Sequence, residues 1–81
     1  MAGSQKKGLT KAALVNLVKA ELNKGRRFTD VIFEIYPIEE NDRGENFKIL
    51  IENSNQVGQS VLEEVENDIF APILGIYALI N

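Results

Sequence analysis

Cysteine and histidine are both missing from this chain of 81 residues, and so is tryptophan. Disulfides are therefore impossible, and Cys/His zinc sites, thiol nucleophiles and imidazole general bases are excluded together. Glycines at positions 3, 8, 25, 44, 58 and 75 stand singly, so neither a G-x-G-x-x-G run nor a Walker sequence is there to cradle a phosphate. Long apolar runs are scarce too. The longest, Ile69 to Ile80, has twelve residues, against the roughly 20 that a bilayer span needs. The basic start at Lys6 and Lys7 leads into Ala12 to Val18, but Lys11, Lys19 and Glu21 break that stretch and no small-residue cleavage site follows. Neither a signal peptide nor a membrane partner is expected. A cytoplasmic location is expected, since cysteine and Asn-x-Ser/Thr sequons are both absent.

A chain this short has room for one core, and one core of this size rarely supplies more than about 3–5 kcal/mol net. With disulfides and metals excluded, a second subunit is the natural supplement. The formal charge of −3 conceals an asymmetry: residues 1–27 carry seven Lys and Arg against Glu21 alone, for +6, and residues 28–81 total −9. Such a dipole steers a charged partner, pairs the two ends of one domain, or pairs two subunits head to tail.

Met1 to Gly8 is small, polar and basic, and is expected to be a disordered tail ahead of a single α+β domain over residues 9–81. Thr10 reads as an N-cap, with Leu9 and Leu14 as a hydrophobic staple. Leu14, Leu17, Val18 and Leu22 then form one stripe of a helix from about Lys11 to Asn23, with Gly25 as its stop. Phe28 to Ile38 is rich in β-branched and aromatic residues and reads as a strand. Its alternation puts Val31, Phe33 and Ile35 on one face and Phe28, Asp30, Ile32, Glu34, Tyr36 and Ile38 on the other. Glu39 to Asn46 is the hairpin connection. Phe47, Ile49 and Ile51 form the inner face of a second strand, with Lys48, Leu50 and Glu52 outward. Ser60 and Glu63 make a capping box that opens a second helix along Leu62, Val65, Ile69, Ile73 and Ile76. Pro72 predicts a kink or a restart near Phe70. A third strand over Ile73 to Ile80 is the rival to helix there.

The expected architecture is thus α+β in the order α-β-β-α, an antiparallel hairpin covered on one face by two helices. This layout resembles that of short uncharacterised bacterial proteins. The similarity rests on the amphipathic first helix, the Val/Ile-rich strand, Asn46-Phe47 opening the second strand and a final helix ending in Tyr77-x-Leu79. Some such proteins have Asn-Trp where this chain has Asn46-Phe47. The resemblance spans most of residues 9–80 and implies the fold but no activity.

Catalysis would have to come from carboxylates, Lys, Ser and Tyr. The acids cluster as Glu39, Glu40, Asp42 and Glu45 in the turn and as Glu63, Glu64, Glu66 and Asp68 on the second helix, where they read as solvated faces. The turn departs from a calcium loop, because Arg43 and Leu50 occupy the positions where ligands are required. No enzyme activity, cofactor or metal is expected. The expected role is a non-enzymatic protein-interaction domain that pairs with itself or another protein, through the hairpin edge and the apolar C-terminal segment. Tyr36, Leu50, Phe70, Ile73, Ile76 and Tyr77 are its candidate interface. A sheet of two strands leaves edges to pair, and a helix apolar all round needs covering, although a small domain also uses such a segment as its own core. The alternative is nucleic-acid binding by a basic patch of Lys11, Lys19, Lys24, Arg26 and Arg27. Eleven acids downstream oppose it.

Overall fold

The computed structural model describes residues 6–24 and 28–80 of the chain. Helix α1 (Lys11–Asn23) starts where expected, because Thr10 has extended backbone and its Oγ1 accepts the Ala13 amide at 3.2 Å. Leu14, Val18 and Leu22 make its buried stripe. The expected stop at Gly25 lies outside the described residues.

Strands β2 (Phe33–Pro37) and β3 (Phe47–Ile51) form the antiparallel hairpin, with Phe33 opposite Ile51, Ile35 opposite Ile49 and Pro37 opposite Phe47. This register puts Ile35, Phe47 and Ile49 into the core, together with α1 and with Val65, Ile69, Phe70 and Ile73 of the C-terminal helix. The turn is closed by Asn41, whose Oδ1 accepts the amides of Arg43 and Glu45 at 3.0 Å each. Gly44 completes it at a φ of +77°, which favours glycine. Regular pairing in β2 begins at Phe33, later than the Phe28 expected. Asn53 explains the difference: its Oδ1 accepts the Ile32 amide at 2.9 Å and its Nδ2 donates to the Asp30 carbonyl at 2.7 Å. A side-chain amide thus occupies the place where the partner strand would have continued.

The C-terminal helix also departs from expectation at both ends and in the middle. Helix α2 (Gln59–Val65) is capped by Gly58 with no side-chain bond, so the Ser60/Glu63 capping box does not form; the Gln59 side chain instead approaches Glu63 at 3.4 Å. A π-helical turn (Glu66–Phe70) follows, then α3 (Ala71–Ile76), in one uninterrupted rod. Pro72 therefore neither breaks nor restarts the helix. It has no amide to donate and its ring would crowd the preceding turn. The π turn widens the spiral by one residue just ahead of it, with the Ala71 amide reaching back five residues to Glu66.

At Tyr77 the backbone turns extended, and β4 (Tyr77–Leu79) pairs in parallel with β1 (Lys7–Leu9). The helical reading thus holds to Ile76 and the strand reading from Tyr77, but the strand joins the chain's start, separate from the hairpin sheet. The expected disordered tail is corrected accordingly over residues 6–8, while its first five residues lie outside the described part. Composition undervalued this segment because main-chain bonds and one ammonium hold it, with little side-chain burial. The Ile80 amide donates to Leu9 O at 2.8 Å, and Lys6 Nζ donates to Gly44 O at 3.0 Å and Leu74 O at 2.9 Å.

Asn46 joins the two small sheets. Its Nδ2 donates to Leu79 O and its Oδ1 accepts the Leu79 amide, both at 2.9 Å, so a carboxamide completes the edge of β4 that β1 leaves bare. Losing a partner from a partly buried backbone pair costs about 1–3 kcal/mol. Asn46→Ala is expected to lower the unfolding free energy by about 2 kcal/mol in urea melts. Asn46→Asp, which sets an oxygen against the Leu79 carbonyl, is expected to lose a similar amount. Exposed Asn55→Ala stays within about 0.5 kcal/mol of wild type, and equal losses in Asn46→Ala and Asn55→Ala would contradict the clamp.

Candidate functional site

The helices cover one face of the hairpin and leave the other to solvent. Three rungs build that outer face: Ile32 beside Glu52, Glu34 opposite Leu50, and Tyr36 opposite Lys48. Ile32, Leu50 and Tyr36 lie diagonal to one another across the rungs, within reach for cross-strand packing. They are 55, 45 and 38% exposed. The Tyr36 hydroxyl donates to Glu52 Oε2 at 3.0 Å. Glu52 is two rungs from Tyr36, so the ring lies along the face across the Leu50 rung. Lys11 Nζ meets Glu34 Oε2 at 2.8 Å, an exposed pair worth at most about 1 kcal/mol that nonetheless neutralises the middle rung. The Lys48 ammonium has no ion pair or hydrogen bond among the described residues.

The hairpin edges offer less than expected. The flanking bonds, Ile38 N to Asn46 O and Glu52 N to Ile32 O, make the even-numbered β2 residues the inward-bonding ones. The outward groups then belong to Phe33 and Ile35 on one margin and to Phe47, Ile49 and Ile51 on the other. Ile35 and Phe47 are buried outright, backbone included. A new strand would find neither margin open along its length, so the face is the available surface.

Of the six expected interface residues, Tyr36 and Leu50 stand on this face. Phe70 and Ile73 are only 3 and 5% exposed and belong to the protein's own core, which corrects their assignment. Phe70 lies in the π turn beside Ile69, and both are buried. Ile76 is exposed and Tyr77 half-buried, beside a shallow groove of about 170 Å³ between α1 and the C-terminal helix. Ile32, Lys48 and Glu52 were missed, although alternation alone had placed Ile32, Lys48 and Glu52 on outward faces.

Lys11 is bridged to Glu34, Lys24 to Glu21 at 3.2 Å, and Lys6 is tied to backbone carbonyls. Lys19 lines a cleft of about 390 Å³ whose apolar walls include Val15, Phe28 and Phe33. Arg26 and Arg27 lie outside the described residues. Among the described residues no three metal-ligating side chains converge, and no helix is long and apolar enough to cross a membrane.

Tyr36 is held protonated above the ordinary phenol range, chiefly by its bond to Glu52, with desolvation and the charges of Glu52 and Glu34 adding and Lys11 opposing. The folded state keeps this proton to higher pH than the unfolded chain. The associated stability is therefore present through neutral pH and is lost as pH rises through the raised value. In tyrosinate absorbance titrations of wild type minus Tyr36→Phe, Tyr36 is expected to ionise above the usual value of about 10, and Glu52→Gln is expected to bring it back. A normal titration in the wild type would rule the contact out. The chain matches no family of known proteins, no curated protein and no solved structure.

Proposed function

We propose that this chain is a small non-enzymatic protein-interaction domain that pairs with a second copy of itself through the outer face of the β2–β3 hairpin. The observation that carries this reading is the contiguous exposure of Ile32, Leu50 and Tyr36 on a sheet face that no described helix packs over. A two-stranded ribbon with one bare face is marginal on its own, and a second ribbon laid on that face shields both. A charged margin of Lys48, Glu34 and Glu52 around the apolar diagonal matches the polar rim and apolar centre of ordinary interfaces. The reading goes with a cytoplasmic setting, for which a chain without cysteine is suited.

A three-rung face is small beside specific interfaces, which start near roughly 1,000 Å² in total, so a weak dimer is expected, dissociating at about micromolar concentration or above. Sedimentation velocity across that range is expected to show a monomer–dimer equilibrium. Leu50→Lys should shift it to monomer while changing the unfolding free energy of the monomer by less than about 0.5 kcal/mol, because the position is exposed. A wild type that sediments as monomer at every concentration would falsify the proposal.

A further inference from the structure

Resting on that self-association, we infer a specific geometry for it: the two hairpins stack face to face about a twofold axis that runs across the strands through the Leu50 rung. A closed dimer of identical chains uses the same patch twice, so the patch must complement itself. Only two in-plane twofold axes bring the faces together with strands roughly aligned. An axis along the strands lays β2 over β3 of the second copy, rung upon equal rung. It sets Ile32 on Glu52, Leu50 on Glu34 and Tyr36 on Lys48, placing every apolar side chain against a charged one. The axis across the strands lays β2 over β2 and reverses the rungs. Leu50 then meets Leu50, Ile32 meets Tyr36 twice, and Lys48 meets Glu52 twice.

The second arrangement satisfies each observation on the face. Lys48 gains the partner it lacks among the described residues. Glu52 uses Oε2 for the Tyr36 hydroxyl and keeps Oε1 for the incoming ammonium. Tyr36, lying along its own face, offers a ring to the exposed Ile32. Glu34 is the one charged side chain set against its own copy, and Lys11 already neutralises it at 2.8 Å. Stacked sheets stand about 10 Å apart, which Lys and Glu span together. The roughly 30° rotation usual between stacked sheets moves the outer rungs by only about 3 Å when it turns about the central rung.

The test uses charge reversal and cross-linking in the full chain. Lys48→Glu and Glu52→Lys should each weaken the dimer about tenfold or more, since each turns two attractions into repulsions. The double variant, in which both charges are exchanged, should return to within about threefold of wild type. Because the chain has no cysteine, single cysteines report without background. With a short bis-maleimide, Leu50→Cys should cross-link to itself, and a mixture of Lys48→Cys with Glu52→Cys should cross-link more than either alone. If the wild type dimerises but the double variant shows no rescue and Leu50→Cys stays uncross-linked, the geometry is wrong and self-association stands. If the wild type never dimerises, the underlying reading fails and the geometry with it.

Discussion

The carboxamide of Asn46 is the contact on which the rest of the arrangement turns. It is the last residue before β3, so the hairpin register fixes its position, and both of its polar atoms are spent on Leu79. Three-residue strands such as β1 and β4 bury little and bond little, and a parallel pair so short would not persist alone. Asn46 acts as a one-residue third strand for that pair. It anchors β4 to the hairpin, and β4 in turn anchors β1. Lys6 reinforces the same junction from the other side by drawing the Gly44 and Leu74 carbonyls onto one ammonium. Asn53 repeats the device beyond the far end of β3, where it holds Asp30 and Ile32. No buried side-chain polar atom among the described residues lacks a partner, so these polar bonds add specificity without an uncompensated desolvation cost.

The π turn ahead of Pro72 solves a different conflict. The C-terminal segment needs Val65, Ile69, Phe70 and Ile73 all against the core, yet positions 69 and 70 are adjacent and an α-helix would splay them about 100° apart. Both are nonetheless buried, and the wider turn that holds them ends just ahead of Pro72, which has no amide to donate. Local strain and core packing thus favour the same distortion, and the segment becomes the central core element of the domain.

What could be read in advance follows from which forces leave periodic marks. Helix α1, its Thr10 cap and the inner faces of both strands were legible because burial imposes a period of 3.6 or 2 on the chain. Tyr36 and Leu50 were legible as outward for the same reason. The β1–β4 pair was not, because it is held by backbone bonds, an ammonium and a carboxamide, none of which leaves a periodic trace. The capping box failed because Gly58 turned the chain into the helix two residues early, leaving Ser60 inside the first turn. Phe70 was misplaced because periodicity assumes an unbroken α-helical spiral, and one added residue in the turn shifts every later side chain by most of a quadrant.

The charge asymmetry between the chain's two parts admitted three uses, and the structure shows two of its cations serving within the chain. Lys11 spans from the start of α1 to Glu34 on the sheet, and Lys6, just ahead of β1, reaches the hairpin turn and the end of α3. Both belong to the positive part and both contact the negative part, so attraction between the parts helps hold the chain's ends to its middle. That leaves few free cations on the described surface to attract a polyanion. On the outer face the charges are instead balanced, Lys48, unpaired among the described residues, against Glu52, with Glu34 already neutralised. A surface with little net charge and an apolar diagonal lacks the long-range field that captures nucleic acid. Under the proposed self-association, a second copy presents this same pattern reversed about a dyad.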